Sequence, residues 1–566
     1  MRKALLILLA LVLVASVFVS CNNDPKTVTV TFYPGDAPGD PYTQNVPIGI
    51  ATKLKANSFT YDGHGFVCWS MSPSGGDDFS DQQTVTLTEN LKLYAMWGDL
   101  YKITVEESEK GEVIPAEDSY IVSDKRQTVL LQVTPDKDYY LSGISLENSD
   151  NEEAYSRFLI IYIPKNSTGD IVITPIFEEK PDEVNFVNAK WEDSQVKTNS
   201  DTKNKADYSL VHTYSNNWDE TVEDWYFVAN DVELTERINV SGNINLILRD
   251  GVTLKADKGI NVPKGSSLTI YGQSKGTGKL TINGVDSGFA GIGGSPKDDC
   301  GTIEIKGGDI QVTGGENGAG IGAGDNHKAG TVSILKGTIT ATGGDNGAGI
   351  GGGNASQNGG TINIYGGTVA TQGGKHGAGI GGGALGEGGT ILIAGGSVSA
   401  RGYMSYGMGG AGIGGGSESS GGTITISGAA TKVEAYGGDF SAGIGGGDRG
   451  DGGTVTITGG ALIKVEGNRG AAGIGGAFGG NGADVTISGG NLEIKGGEGE
   501  VDMGVSPHIC AIGKGYFHSS EEGEHNDLIL EDGFKLDAQS YSDGAPWKVW
   551  PDETNERLFR MRTHTT

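Results

Sequence analysis

Polysaccharide cleavage by acid–base chemistry needs two carboxylates, or a carboxylate and a cation, converging on one face. This 566-residue chain offers few such sets. In one series of recurring segments the side chains that alternation turns outward are Glu304, Ser333, Asn363, Leu392, Thr425, Thr456 and Thr486, with no acidic pair and no basic residue. A second series carries Glu434, Lys464, Glu466, Glu493 and Lys495, whose alternating signs read as a solvated face. His518 and His525 beside Glu521, Glu522 and Glu524 have metal-ligating types, but their Ser and Gly neighbours read as an acidic loop. Asp325, Asp345, Asp439, Asp448 and Asp451 sit next to glycines, as calcium ligands in turns do. A ladder of shared calcium ions needs acidic oxygens in register, whereas one recurring position reads Glu316-Asn317, Asp345-Asn346, Lys375-His376 and Asn468-Arg469. Isolated calcium stays open, and no other cofactor is expected. Gly347 to Gly352 and Gly377 to Gly382 fit the dinucleotide-binding string, but the string recurs and no helix follows it, so it reads as a corner and not as a nucleotide loop. Planar aromatics are what a sugar stacks on. Tyr365 and Tyr436 at outward strand positions, and Tyr403 and Tyr406 in the insertion Arg401 to Met408, are the candidate ligand contacts.

These residues hang on a repeat. Ala-Gly-Ile-Gly recurs with its isoleucine at Ile292, Ile321, Ile350, Ile380, Ile413, Ile444 and Ile474, spaced by 29, 29, 30, 33, 31 and 30 residues, and a degenerate copy follows at Ile512. A fixed period near 30 marks a solenoid. Within one period Thr331-Val332-Ser333-Ile334 and Thr338-Ile339-Thr340-Ala341 alternate as strands, sending Val332, Ile334, Ile339 and Ala341 inward and Ser333 and Thr340 outward. Gly347-Ala348-Gly349-Ile350 then turns a tight corner. Three short strands per period describe one coil of a right-handed parallel β-helix, with the isoleucines stacked as a structural column. The 98 glycines oppose helical repeats. The stack is expected over residues 225–540, opened by bulkier coils from Trp225 and closed near Leu528 to Leu536, with residues 541–566 as a cap or tail in which Trp547 and Trp550 close the end.

Upstream of the repeat the chain changes character. Arg2-Lys3 and the apolar run Ala4 to Val19 form an export signal over residues 1–20, too short to span a membrane. The run ends Phe18-Val19-Ser20-Cys21, which resembles a bacterial lipobox with Phe18 in place of the usual leucine. The resemblance implies that Cys21 is lipidated, that residues 21–26 are a tether, and that the protein is anchored outside the cytoplasm, in the cell envelope and at its surface. Cys68, Cys300 and Cys510 remain, an odd number without Cys-x-x-Cys spacing, which indicates neither a disulfide framework nor a zinc site.

Residues 27–98 alternate as strands and resemble the Listeria–Bacteroides repeat, a β-grasp-like module of internalin B-repeat type, through Phe59, Gly63, Phe66, Trp69 and Leu93-Tyr94-Ala95-Met96-Trp97. His64 and Cys68 depart from that pattern. Residues 99–178 resemble a second, divergent copy, from Tyr101-Lys102-Ile103-Thr104-Val105 to Ile171-Val172-Ile173-Thr174-Pro175-Ile176-Phe177. The resemblance implies stalk modules, and the polar residues 179–224 read as a linker and entry to the solenoid. The glycine-rich stack resembles β-helical domains of bacterial surface proteins. The fold class expected is therefore all-β, two small modules followed by the β-helix.

A net charge of −29 argues against nucleic acid and against anionic lipid surfaces as partners. The expected partners are a membrane, through the lipid anchor, and a host-matrix protein or glycan. The function expected is non-catalytic adhesion or ligand binding. The alternative is a β-helical polysaccharide lyase or glycoside hydrolase acting outside the cell.

Overall fold

The computed structural model describes residues 26–497 apart from 77, 116–119, 123–126, 137, 149–154, 158–159, 164–168, 213–216, 222–223 and 405–406, then 510–515 and four short strands beyond. The expected export signal, Cys21, Tyr406, Trp547, His518 and His525 lie outside the described residues. The chain is all-β, with no α-helix among the described residues. It divides into two compact units, Met1–Asp136 with Gly143–Phe177, and Lys137–Ser142 with Glu178–Thr566.

In the first unit Thr27–Tyr33 pairs antiparallel with Tyr42–Pro47 and parallel with Leu91–Val105. Alternation buries Val28, Val30 and Phe32 against Val46, Leu54, Trp69 and Leu93. Trp69, fully buried, meets Phe32 at 4.8 Å and Phe66 at 5.0 Å, so it belongs to the core. Leu91–Val105 runs unbroken across the boundary expected at residue 98. Its second half pairs parallel with Ile171–Ile173. Both segments thus share one arrangement, an opening strand parallel to a closing strand.

The second unit holds the parallel β-helix. One sheet of twelve strands runs from Ser209–Leu210 through Thr331–Ile334 and Thr361–Ile364 to Leu528–Leu530, all parallel among the described pairs. A second includes Thr338–Thr342 and Thr368–Gln372, and a third consists mostly of Ile-Gly pairs such as Ile350–Gly351. The chain visits the three in turn, one coil per period. Val332, Ile334, Ile339 and Ala341 are buried, and Ser333 and Thr340 face out. Ile292, Ile321, Ile350, Ile380, Ile413, Ile444, Ile474 and Ile512 pair in register, each of the first seven with no accessible surface. Ile260 and Ile238 extend the column by two coils in which the glycine motif is absent.

The glycine after each isoleucine has two reasons to be glycine. Gly351 has φ +130°, and a Cβ there would fall inside the van der Waals surface of the Gly381 carbonyl oxygen. The stack begins earlier than residue 225, since Ser209–Leu210 and Asn217–Asp219 supply its first strands and Trp218 stacks on Tyr226 at 5.1 Å beneath the first complete coil. It also ends differently. Leu528–Leu530 continues the first sheet, but Leu536–Gln539 pairs antiparallel with Arg560–Thr563, which itself pairs antiparallel with Asn491–Lys495. The antiparallel closure therefore starts at residue 536, before the expected cap.

The expected linker is corrected. Glu183–Glu192 and Gln195–Asn204 form a hairpin in continuous register around Asp193 and Ser194, both at positive φ as a two-residue turn requires. Its Val184, Phe186 and Ala189 are buried. Phe186 packs on Trp225 at 5.0 Å and on Tyr271 at 4.8 Å, and Trp191 stacks on Tyr365 at 4.6 Å. The solenoid surface changes to match. Residues closing the first-sheet strands run Phe227, Ile247, Tyr271, Lys306, Leu335 and Tyr365, then turn to Ala394, Ser427, Thr458 and Ser488. Only six of the 22 residues 183–204 are apolar, and the partners of Phe186 and Trp191 lie 39 to 174 residues away, so local composition reads as linker.

Candidate functional site

The Ile-Gly strand is flanked by two loops, and these carry what varies from coil to coil. The turn before it reads Glu316-Asn317, Asp345-Asn346 and Lys375-His376 in successive coils, then the insertion of residues 401–410, then Asp439-Phe440 and Asn468-Arg469. In the loop after it, the fifth residue beyond each isoleucine is Asn326, Ala355, Leu385, Glu418 and Arg449, with φ of +60°, +48°, +58°, +60° and +62°. Gly479 follows at the same place. Left-handed backbone costs a non-glycine residue about 1 kcal/mol or more. Hydrogen bonds between coils enforce it. The N–H of Asn326 donates to Asn354 O, that of Ala355 to Ala384 O, of Leu385 to Ser417 O, of Glu418 to Asp448 O and of Arg449 to Phe478 O, at 2.7–3.0 Å. Each preceding residue binds the turn of the coil before it: Asn354 N–H to Asn317 O, Ala384 N–H to Asn346 O, Ser417 N–H to His376 O and Asp448 N–H to Gly409 O. The two loop columns form one edge with a rigid backbone and a different outward side chain in each coil.

On this edge the exposed apolar side chains gather around the insertion. Leu385, Tyr403, Met404 and Met408 are four of the six large apolar residues exposed among the described residues of the second unit. Arg449 links them to charge, its guanidinium 3.1 Å from Glu418 Oε1 and 3.6 Å from Met408 Sδ. Phe440 and Phe478 pair at 5.3 Å on the neighbouring coils. The insertion is held from below. Asp439 Oδ2 accepts the Gly407 N–H at 2.9 Å, and Asp439 N–H donates to Tyr403 O. Ser441 Oγ donates to Gly409 O at 2.7 Å, and His376 Nδ1 donates to Met408 O at 2.7 Å. Asp439 is paired with Arg469 at 3.4 Å. Asp448 is different. Its side chain is only 3% exposed, burial pushes its carboxyl up to about 6, and its partner is Arg449 Nε at 3.9 Å, beyond hydrogen-bond reach.

Of the four candidate tyrosines, Tyr406 lies outside the described residues and the other three have different surroundings. Tyr403 sits on the edge. Tyr436 ends a strand of the second sheet, with the Arg401 guanidinium 4.0 Å above its ring and its hydroxyl 3.4 Å from Glu434. Tyr365 is taken up by Trp191 of the hairpin, so its ring face is not open to a ligand. Leu385 and the left-handed column escape sequence reading, because no residue type repeats there; the constant spacing of five residues from isoleucine is the signal that marks them.

The catalytic alternatives have these surroundings. Glu434 is held below the usual carboxylate range by Lys432 at 2.9 Å, and Lys495 pairs with Glu466 at 3.0 Å, as a solvated face would. A shallow groove of about 340 Å³ is lined by Ser420, Asp451, Gly453, Thr454, Asn481, Gly482 and Asp484, two carboxylates without a cation. Asp325 accepts from Asn354 Nδ2 at 2.9 Å and Asp345 pairs with Lys375 at 2.6 Å. No group of three or more His, Cys, Asp or Glu residues suited to a metal occurs among the described residues.

A family model described as a beta helix repeat matches residues 303–325, 332–354, 362–384 and 420–448. The unmatched stretch 385–419 contains the insertion. No curated protein and no solved structure matches the chain.

Proposed function

We propose that this chain is a bacterial surface lipoprotein, anchored through Cys21, in which two stalk modules of the Listeria–Bacteroides type carry a non-catalytic β-helix that binds a ligand through its loop edge. One observation carries the reading. Five successive coils keep a side chain at a left-handed corner where glycine would sit without strain, and the outermost apolar residues cluster beside it. Retained strain with changing identity fits a contact surface on a rigid frame. Tyrosine, methionine, leucine and arginine together suit a protein ligand such as a host-matrix component, and Tyr403 suits a glycan.

The test is a glycan and matrix-protein array probed with the chain in which Cys21→Ser removes the anchor. A bound ligand should lose about thirtyfold or more in affinity on Leu385→Ala with Met408→Ala, each a contact worth about 1 kcal/mol or more. Unchanged binding by the folded double variant would move the contact surface off this edge. The enzymatic reading rests on the groove at Asp451 and Asp484. Release of reducing or unsaturated ends from polysaccharides, lost in Asp451→Asn and Asp484→Asn, would establish it instead.

A further inference from the structure

A cation stands in the stripe that the hairpin covers. Phe227, Ile247, Tyr271, Leu335 and Tyr365 close their first-sheet strands with apolar or aromatic side chains, and Lys306 holds the same place between Tyr271 and Leu335. Its side chain is only 12% exposed, with Nζ 3.0 Å from Glu304 Oε2 and 5.4 Å from the centre of the Tyr271 ring. The hairpin brings an amide to it. Alternation along Glu183–Glu192 puts Asn188 on the face of Val184 and Phe186, and Phe186 packs on Tyr271. Lys306 Nζ donates to Asn188 Oδ1 at 3.4 Å, and Asn188 Nδ2 donates to Asp201 Oδ2 at 2.8 Å. Asp201 pairs with Phe186 across the hairpin, which turns it to the same face. Gln273 Nε2, donating to Asn185 O at 2.9 Å, ties the hairpin backbone to the coil beneath. Burial, helped by the carboxylates of Glu304 and Asp201, pushes the Tyr271 hydroxyl up to about 12, so both acids lie close to one ring. An amine and a carboxamide 118 residues apart in the chain are thus held in contact between two carboxylates.

We propose that Lys306 and Asn188 join in an intramolecular isopeptide bond that fastens the hairpin to the solenoid, with Glu304 as proton acceptor. The lysine amine attacks the carboxamide carbon of Asn188. The Nζ–Cγ bond forms, the Cγ–Nδ2 bond breaks, and no oxidant or reductant takes part. Nζ gives up two of its three protons. Glu304 takes the first, which frees the lone pair for attack, and the second leaves as the tetrahedral carbon collapses. One of the two returns to the departing nitrogen, so ammonia is released, and the other passes to water. Asp201 holds the departing nitrogen by one of its N–H groups. An amine kept at hydrogen-bond distance from its acyl group has the proximity that makes such a transfer fast. The reaction also replaces a shielded ammonium by a neutral amide, which burial tolerates better. The product closes a covalent loop over the first coils, so the hairpin cannot lift off the aromatic stripe. The bond is independent of the anchor and of the loop edge.

Mass spectrometry of the folded full chain reads the bond. Trypsin does not cut after an acylated lysine, so digestion should give a branched peptide joining the Lys306 and Asn188 segments, lighter by one ammonia than their sum. The branch should vanish in Lys306→Arg, which keeps the charge, and in Asn188→Ala. Glu304→Gln keeps both reacting groups and should lower the yield of branched peptide to about a tenth or less of the parent's at equal age. Circular dichroism confirms that each variant is folded. Unbranched Lys306 and Asn188 peptides from the folded parent overturn the bond and leave an ion pair with an amide contact. Loss of ammonia without a branch, persisting in Lys306→Arg, overturns it too and marks a succinimide at an asparagine. A branch from Lys306 to Asp201, lighter by one water, overturns Asn188 as the acyl donor. Full yield in Glu304→Gln overturns its role as proton acceptor.

Discussion

Five residues separate two regions of each coil that obey opposite rules. At the inner column the side chain is isoleucine in eight successive coils, followed each time by glycine. At the left-handed corner five residues on, the backbone is just as constant while the side chain is asparagine, alanine, leucine, glutamate or arginine. Both positions are locked by hydrogen bonds between coils, so a constant backbone does not distinguish them. The difference lies in what the side chain meets. Inside, it meets its own copies above and below, and one shape must tile. Outside, it meets solvent or a partner, and nothing in the fold fixes its identity. Sequence constancy in a solenoid therefore reports packing, and function is sought where the backbone repeats and the residue does not.

Substitutions on the two sides should separate accordingly. The largest effect belongs to Ile350→Asp, which removes a fully buried side chain and leaves a charge without a partner. It should cost about 5 kcal/mol or more and unfold the adjoining coils, seen as lost amide protection around Ile321 and Ile380. Next is Asp448→Asn, on the edge but buried. Because the folded carboxyl is raised to about 6 from an ordinary 3.8, the parent chain is relatively destabilised above pH 6, and the handicap fades as pH falls toward 4. The variant should therefore gain up to about 3 kcal/mol at pH 7.5 and nothing below pH 4, measured by urea unfolding at both pH values. The smallest effect belongs to Leu385→Gly. Relief of the left-handed strain and the entropy that glycine adds to the unfolded chain nearly cancel, leaving stability within about 1 kcal/mol. Ligand binding should still weaken. A large loss of stability there would show the corner to be part of the core and erase the contrast.

The period of the solenoid was legible because each coil repeats the same packing problem, and Ala-Gly-Ile-Gly is its tightest solution. Ile238 and Ile260 stand in the same column but their coils turn corners without that motif, so only pairing shows them. Tyr365 looked open because alternation along its own strand turns it outward, which is correct, but alternation cannot reveal that Trp191 covers it. The hairpin 183–204 was illegible for the same reason, its apolar face being small and its partner distant in the chain. Of the candidate site, the insertion was visible as excess length and aromatic content. Leu385 and Arg449 were not, and Asp448 stood out only as one of five glycine-flanked aspartates of calcium-ligand type, because their places on the edge follow from backbone angle and burial, to which composition is blind.

The unbroken strand Leu91–Val105 has a mechanical consequence. In the segment before it, the opening strand Thr27–Tyr33 lies parallel beside its first half. In the segment after it, Ile171–Ile173 lies parallel beside its second half. Tension drawn along the chain through either segment pulls neighbouring parallel strands lengthwise past each other, so the hydrogen bonds between them share the load instead of parting one by one. Such a clamp yields only when its whole set fails together, so each segment resists stretching along the chain more than it resists unzipping from one end.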